Sequence, residues 1–471
     1  MKLGKQQGNM LRLYNTLTRT IENFQPLHLN ASVSMYSCGP TVYDYQHIGH
    51  MRRYVGDDML VRVLKYNGYK VDHVMNITDV GHLVSDSDTG EDKMEKGARK
   101  YGKSVWNIAK KFEKQFWISI DELNIKRPDY VMHATDYIAD QIALIKILEE
   151  KGYTYRIDDG VYFDTTKFKN YYQLSRQNPQ ALKAGARVDI VAGKKHPEDF
   201  ALWKFSPKNE KRQMEWESPW GIGFPGWHIE CSAMSMKTLG ATLDIHTGGI
   251  DHINVHHTNE IAQSEAATGK QFVRYWVHHN FLVVEGEKMS KSLGNFFTVQ
   301  DVVKKGFNPM HLRYLYLQTH YRQEMNFTWE SLEAAGNAYD RLVKEIATFT
   351  SSSGGAKQFE QQFTDNINDD LNIPKALATV WELIRSDEAL PARAASLSKM
   401  DTVLGLNLFA TAVKQEALEI PQSILNLVKE REGLRKIGDF AASDEMREKI
   451  RSLGWEVSDT KTGPEVSPLR S

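Results

Sequence analysis

Two cysteines in 471 residues are too few for a disulfide framework, and their rarity suits a reducing cytoplasm. No apolar run approaches the ~20 residues that a membrane-spanning helix needs. The N-terminal stretch MKLGKQQGNM carries positive charge but no apolar core, so it does not read as a secretory signal. An excess of one charge is missing too: 59 basic side chains face 60 acidic ones, for a formal net charge of −1. That balance argues against a general polyanion binder, and any RNA contact must come from local patches. No internal repeat is visible.

What remains is an ordinary globular composition, 41% hydrophobic and 25% charged, on a chain long enough for two to four domains. Val33 to Gly39 alternates apolar and polar residues into Cys38-Gly39 and reads as a strand with a turn. Between Ile48 and Tyr66, Met51, Val55, Met59 and Val63 recur at helical spacing, and Asn67-Gly68 stops the run. VDHVMNITD, Val71 to Asp79, is a second strand. Strand, helix, strand is a βαβ unit, whose ligands sit at the carboxyl ends of the strands. Cys38, His47 and Thr78 all fall at that end.

The rest divides by pattern. Residues 1–124 read as the first half of a Rossmann-type parallel-sheet domain and 125–226 as a connective insertion. The second half resumes over 227–299, where ATLDIHTGG and WVHHNFLVVEG are strands with glycine exits. From 300 onward the pattern is helical almost to the end. TSSSGGAK, Thr350 to Lys357, marks a linker or a helix–helix loop.

Chemistry enters with the tetrapeptide HIGH. His47 and His50 stand at i and i+3, on one face of the first turn of a helix. Helix starts offer unpaired amides and positive partial charge, so two added imidazoles make a site for a phosphate developing charge. Donors of this kind are each worth ~10²–10³ in rate. Gly49 leaves room for a flat base or sugar. Downstream, EGEKMSKSLGN (Glu285 to Asn295) is a loop in which Lys288 and Lys291 can reach a polyphosphate. In this order, on either side of an insertion in a parallel sheet, the two motifs resemble the signature of class I aminoacyl-tRNA synthetases.

The cysteines narrow the resemblance. Cys231 lies in GWHIECSAMS, followed by HTGGIDHINVHHTNEIAQSEAA. His256 and Glu260 are i and i+4, so both can face one ion, but His252 and His256 are also four apart and spacing does not choose between them. Cys38 and Cys231 with one such histidine and Glu260 would make a plausible zinc site. YSCGPTVYDYQHIGH, FALWK, SPWGIGFPGWHIECSAMS, HHTNEIAQSEA and GEKMSKSLGNF together resemble the cysteinyl-tRNA synthetase family, from about Leu11 to the C-terminus.

That resemblance implies a zinc ion on Cys38, Cys231, His256 and Glu260, and a cysteine pocket of Gly39, Thr78, Trp227 and His246. It assigns ATP to Thr41, His47, Gly49, His50, Asp251 and Lys291, with magnesium, and catalysis to His47, His50, Lys288 and Lys291. The implied partners are L-cysteine, ATP and tRNA(Cys), and the implied state is a cytoplasmic monomer without membrane contact. Residues 300–350 would be a stem-contact region, 351–415 a tRNA-binding helical bundle and 416–471 an anticodon-side module in which Trp455 stacks on a base. Cysteine and serine are near-isosteres that shape alone separates only ~10–200-fold, whereas zinc prefers a thiolate to a hydroxyl. An editing site is then unnecessary. A catalytic zinc usually keeps an open position, so four protein ligands require the substrate sulfur to enter as a fifth or one ligand to loosen.

Three positions depart from the family pattern: Val255 for a common proline, Thr258 for an acid and Phe224 for a frequent basic residue. None removes a metal ligand. A cysteine:glucosaminyl-inositol ligase of mycothiol synthesis shares the zinc and ATP motifs, but it lacks the full C-terminal module that this chain retains.

Overall fold

A computed structural model describes residues 10–29, 31–81, 92–178, 192–207, 212–290, 293–349, 351–416, 421–460 and 463–469. At its centre five parallel strands lie in the order Val273–His279, Leu243–Gly249, Val33–Ser37, Val71–Ile77, Tyr130–His133. Chain order along the sheet is therefore 5-4-1-2-3, the Rossmann arrangement, with its switch point between the first and fourth strands. Cys38 leaves the first strand at that crevice.

Side-chain alternation sends these strands into two cores. Met35, Met75, Ile245 and Val277 pack with Met51, Val55 and Met59 of the helix Ile48–Tyr66 on one face. Tyr36, Val74 and Trp276 pack on the other, against the helices Ile138–Glu150, Trp227–Leu239 and His256–Thr268. The helix Ile48–Tyr66 ends at Asn67, where Gly68 takes a φ of +85°. An NG stop works because only glycine adopts that backbone cheaply.

Tyr130–His133 and Ile138–Glu150 belong to this central layer. Within 125–226 the separate unit is an antiparallel sheet of Thr154–Ile157, Gly160–Phe163, Phe200–Phe205 and Gly223–Pro225. YVMH is too short for its periodicity to distinguish a sheet edge from a loop, so only its pairing with Val74–Ile77 reveals its place.

The C-terminal third is helical through Leu408–Glu416, then Gln422–Lys436 and Phe440–Ser452. It finishes in a hairpin, Trp455–Thr460 against Gly463–Pro468, over a small core of Ile424, Val428, Ile450 and Val457. Trp455 is half-buried against that core.

A fully buried charge cluster joins the catalytic and helical regions. Asp58 takes Arg62 Nε at 2.7 Å and Arg313 Nη2 at 2.6 Å, while the two guanidiniums donate to the carbonyls of Asn124, Thr402 and Leu404. The two guanidiniums share one carboxylate and give their other protons to carbonyls, which satisfies the buried donors. The cluster holds the middle of the helix that starts with HIGH.

Candidate active site and metal centre

Cys38 follows directly on the strand Val33–Ser37, and its amide donates to Thr247 O in the neighbouring strand at 3.3 Å. Gly39 comes next for a steric reason: a β-carbon there would lie 1.5 Å from the Asn76 carbonyl oxygen. The Gly39 amide donates to Asn76 Oδ1 at 2.7 Å, and Asn76 Nδ2 donates to Thr78 Oγ1 at 3.0 Å. Gly39→Ala is expected to cost about 3 kcal/mol, the upper end for overpacking, because the obstacle is backbone. Chemical denaturation measures it, and an unchanged midpoint contradicts the steric account.

Behind this turn, Cys38, Cys231, His256 and Glu260 bring their ligand atoms within 4.8 Å of one another, all buried. A second set sharing Cys38 and Glu260, completed by His246 and His257, meets the same limit. The two cysteines are free thiols. His246 Nε2 lies 2.9 Å from Glu260 Oε2, and His257 Nε2 lies 3.3 Å from Cys38 Sγ. Glu260 Oε1 takes no hydrogen bond although His256 Nε2 stands 3.0 Å away. His252 lies beside the cluster, with its ring 5.1 Å from that of His256, but belongs to neither set.

The electrostatics suit a cation. Burial works against charge throughout, yet the imidazoles of His246 and His256 hold the Glu260 carboxyl at about 2, and Glu260 in turn lifts His256 to about 10. Burial also opposes the Cys38 thiolate, but the Cys231 thiol and the nearby histidines bring its pKa well below the usual range. Cys231, donating to Cys38 in a buried site, moves well above. Protons on imidazole and thiol thus balance a carboxylate and a thiolate, and a divalent metal releases such protons when it takes their place. Zinc bonds of ~2.0–2.3 Å set ligands less than ~4 Å apart, so the donors need close up by only about an ångström. Two thiols, an imidazole and an orphaned carboxylate oxygen fit zinc.

Spacing did not single out His228 or His257. His228 Nδ1 meets His256 Nδ1 at 2.9 Å and so orients that ring. His257 Nδ1 meets His278 Nε2 at 2.8 Å. The sequence signal was their density, since WHIEC and HHTNE each carry a histidine beside an expected ligand.

The remaining pocket residues gather round the same crevice. Thr78 Oγ1 donates to Glu230 Oε2 at 3.1 Å, and Thr78 bridges to Thr41 in parallel. The indole of Trp227 lies 4.4 Å from the His256 ring, while His246 stacks at 4.7 Å on Trp276. Asp251 sits exposed in the single turn Ile250–His252, and its carboxylate occupies the space a β-carbon on Gly249 would need. The departure at Phe224 has a local counterpart: the Arg212 guanidinium, paired with Asp92, lies 3.5 Å above its ring.

HIGH forms a reciprocal cap. The His50 amide donates to His47 Nδ1 at 3.1 Å and the His47 amide to His50 Nδ1 at 3.3 Å, with the rings stacked 3.5 Å apart. A ring nitrogen that accepts carries no proton, so each neutral ring bears its N–H on Nε2. Although the His50 ring is exposed at its edge, crowding by protein, then the charges of His47, Arg53 and His252, set its pKa well below the ordinary value. A neutral His50 has its one ring N–H on Nε2 to donate. A β-carbon on Gly49 would meet Met289 Cε at 2.6 Å and His47 Cε1 at 3.0 Å, so this glycine admits the KMSKS stretch against HIGH. Ile48 N donates to Phe297 O at 2.8 Å, a tie from HIGH to a residue just past the KMSKS loop.

Lys288 is exposed at the start of that loop, and Asn295 pins it by accepting from Ser290 N at 2.7 Å and donating to Lys288 O at 3.3 Å. Lys291 lies outside the described residues. Among the described residues no helix is long and apolar enough to cross a membrane.

Residues 23–337 match the family model described as tRNA synthetases class I (C) catalytic domain. A protein of Burkholderia lata named cysteine–tRNA ligase 1 is 48% identical over 96% of both chains. The cysteine–tRNA ligase of Treponema denticola is 44% identical over 95% of this chain and 98% of its own. Among solved structures, Mycobacterium tuberculosis methionyl-tRNA synthetase in complex with methionyl-adenylate aligns with a TM-score of 0.54 at 15% identity, covering 81% of this chain and 91% of that one, which is a likeness of fold. With identity of this order along nearly the whole chain, the protein is an enzyme belonging to the cysteine–tRNA ligase family of class I aminoacyl-tRNA synthetases.

Proposed function

We propose that the chain activates L-cysteine with ATP and magnesium and transfers it to the 3′-terminal ribose of tRNA(Cys), as a monomer in the cytoplasm. The observation that carries this reading is the buried two-thiol cluster lying at the switch point beside HIGH. A cysteine carboxylate oxygen attacks the α-phosphorus of ATP, the bond to pyrophosphate breaks, and cysteinyl adenylate forms. The 2′-hydroxyl of the terminal ribose then attacks the acyl carbon and AMP leaves.

His47 and His50 donate from Nε2 to the phosphate as charge develops, with Thr41, Gly49 and Asp251 placing the nucleotide. Lys288 and Lys291 contribute positive charge for the departing pyrophosphate. Gly39, Thr78, Trp227 and His246 shape the cysteine pocket. Zinc, when held by Cys38, Cys231, His256 and Glu260, supplies a Lewis acid that prefers the substrate thiolate to the hydroxyl of serine. The His246/His257 set has one thiol, which favours the two-thiol set for zinc.

Residues 300–350, 351–415 and 416–471 serve tRNA in this reading. A groove of about 550 Å³ there, lined by Arg341, Arg385, Trp381, Gln318 and Asn337 with no carboxylate among its lining residues, suits a phosphate backbone.

The test is charging of a tRNA(Cys) transcript with radiolabelled cysteine, ATP and magnesium. Acid-precipitable label that disappears when serine replaces cysteine supports the reading. Absence of label in a protein that retains zinc overturns it.

A further inference from the structure

Cys38 stands where its strand has ended, so its carbonyl has no ladder neighbour to hold it. That carbonyl accepts from Arg53 Nη2 at 2.5 Å. Arg53 lies three residues past His50 on the helix Ile48–Tyr66, and its Nη1 donates to Asp57 Oδ2 one turn on at 2.9 Å. The other oxygen of Asp57 meets Nε2 of His279, the last residue of the strand Val273–His279, at 3.0 Å. The Arg53 side chain is 12% exposed, Asp57 2% and His279 3%. Gly56 makes this approach possible, because a β-carbon there would lie 2.4 Å from the His279 ring.

We propose that Arg53 is a positioning residue for the metal centre: it fixes the Cys38 peptide, and thereby the thiol, while Asp57 and His279 hold its guanidinium. The amide of Cys38 is held by Thr247 O and the Gly39 amide of the next peptide by Asn76 Oδ1, so Arg53 adds a side-chain hold on the carbonyl of that same peptide. A planar fork suits the task, since one edge reaches the carboxylate as the other reaches the carbonyl. Lysine, a single point of charge, does this less well. The carboxylate side of the fork is ordered in turn by His279, so the ligand loop is tied to the helix that begins at HIGH and to the far strand at once. Small displacements of an outer partner matter here, because such partners typically set metal affinity within ~10–100-fold.

The inference rests on the zinc reading, and the experiment separates the two. Zinc content of purified wild-type protein is measured first, followed by the rate of zinc transfer to a colorimetric chelator for wild type, Arg53→Met, Arg53→Lys and Asp57→Asn. KM for cysteine and for ATP in ATP–pyrophosphate exchange, and the thermal midpoint, are recorded for each. Arg53→Met is expected to release zinc ~10–100-fold faster and to raise KM for cysteine about as much, with KM for ATP unchanged, while the thermal midpoint falls because buried Asp57 loses its cation. Arg53→Lys should recover part of the loss, and Asp57→Asn should fall between. Adding Asp57→Asn to Arg53→Met should cost nothing further, because both act through one contact.

A wild-type release rate in Arg53→Met overturns the assignment, as does an equal rise in both KM values. Should Arg53→Met fail to fold, Arg53→Lys and Asp57→Asn decide by the same release rates. Wild-type protein that purifies without zinc and gains none on addition overturns the metal reading and the Arg53 assignment together.

Discussion

Cys231→Ser is expected to lose zinc and to lower cysteine activation by more than ~10²-fold, beyond what losing an outer-shell partner costs. The substitution barely changes volume, so the core round Ile229 and Met234 stays packed. What it removes is one of two thiols within ligand distance of His256 and Glu260. A hydroxyl is a poor ligand for a borderline-soft ion, and the site then leaves a carboxylate and an imidazole without the cation that joined them. Discrimination against serine should fall to the ~10–200-fold that shape alone supplies. Metal analysis and pyrophosphate exchange with each amino acid provide the check. Full zinc content with unchanged selectivity would remove Cys231 from the centre and favour the set built on His246 and His257.

The second large effect concerns the cap. His50→Ala should slow adenylate formation ~10²–10³-fold with little change in KM for cysteine, since a preorganised donor acts on charge that develops only in the transition state. His47 has two jobs that one substitution separates. Asparagine caps a helix as well as any residue, so His47→Asn keeps the bond to the His50 amide but places no N–H where Nε2 was. Its thermal midpoint should match the wild type while its rate falls as for His50→Ala. His47→Ala should lose both, with about 1 kcal/mol of stability. Near-normal rates in His47→Asn would mean that this imidazole serves only as a cap.

The Arg53 link gives these two results a common frame. Arg53, which holds the Cys38 carbonyl, belongs to the same helix that presents the two imidazoles, so in the proposed mechanism the helix Ile48–Tyr66 sets the distance between cysteine recognition and phosphate chemistry. The Asp58–Arg62–Arg313 cluster anchors that helix farther along, against the carbonyls of Thr402 and Leu404. Breaking a buried pair of this kind leaves an unpaired charge, which makes the joint stiff.

Local rules sufficed for much of the site. A helix beginning at HIGH and ending at Asn67-Gly68, strands at Val33–Ser37, Val71–Ile77 and Leu243–Gly249, and the i, i+4 pair His256–Glu260 all follow from short-range spacing. So did the expectation that Cys38 and Thr78 would stand at strand exits. The Tyr130–His133 strand and the terminal hairpin were not legible, because four to six residues carry too little periodicity to outweigh their neighbours.

What only tertiary structure decided is which distant residues meet. Cys38 leaves a strand, Cys231 lies on the helix Trp227–Leu239 and Glu260 on the helix His256–Thr268, and sheet order with the packing of these two helices brings them within 4.8 Å. Spacing left His252 and His256 equivalent; packing put His256, supported by His228, within reach of both cysteines and Glu260, while His252 joins neither four-ligand set. Arg53 looks in sequence like any charge on a helix, and its role exists only because a strand end faces that turn. Hydrophobic period and capping act over a few residues and are written in the chain, whereas ligand sets and the groups that steady them arise from how the elements close on one another.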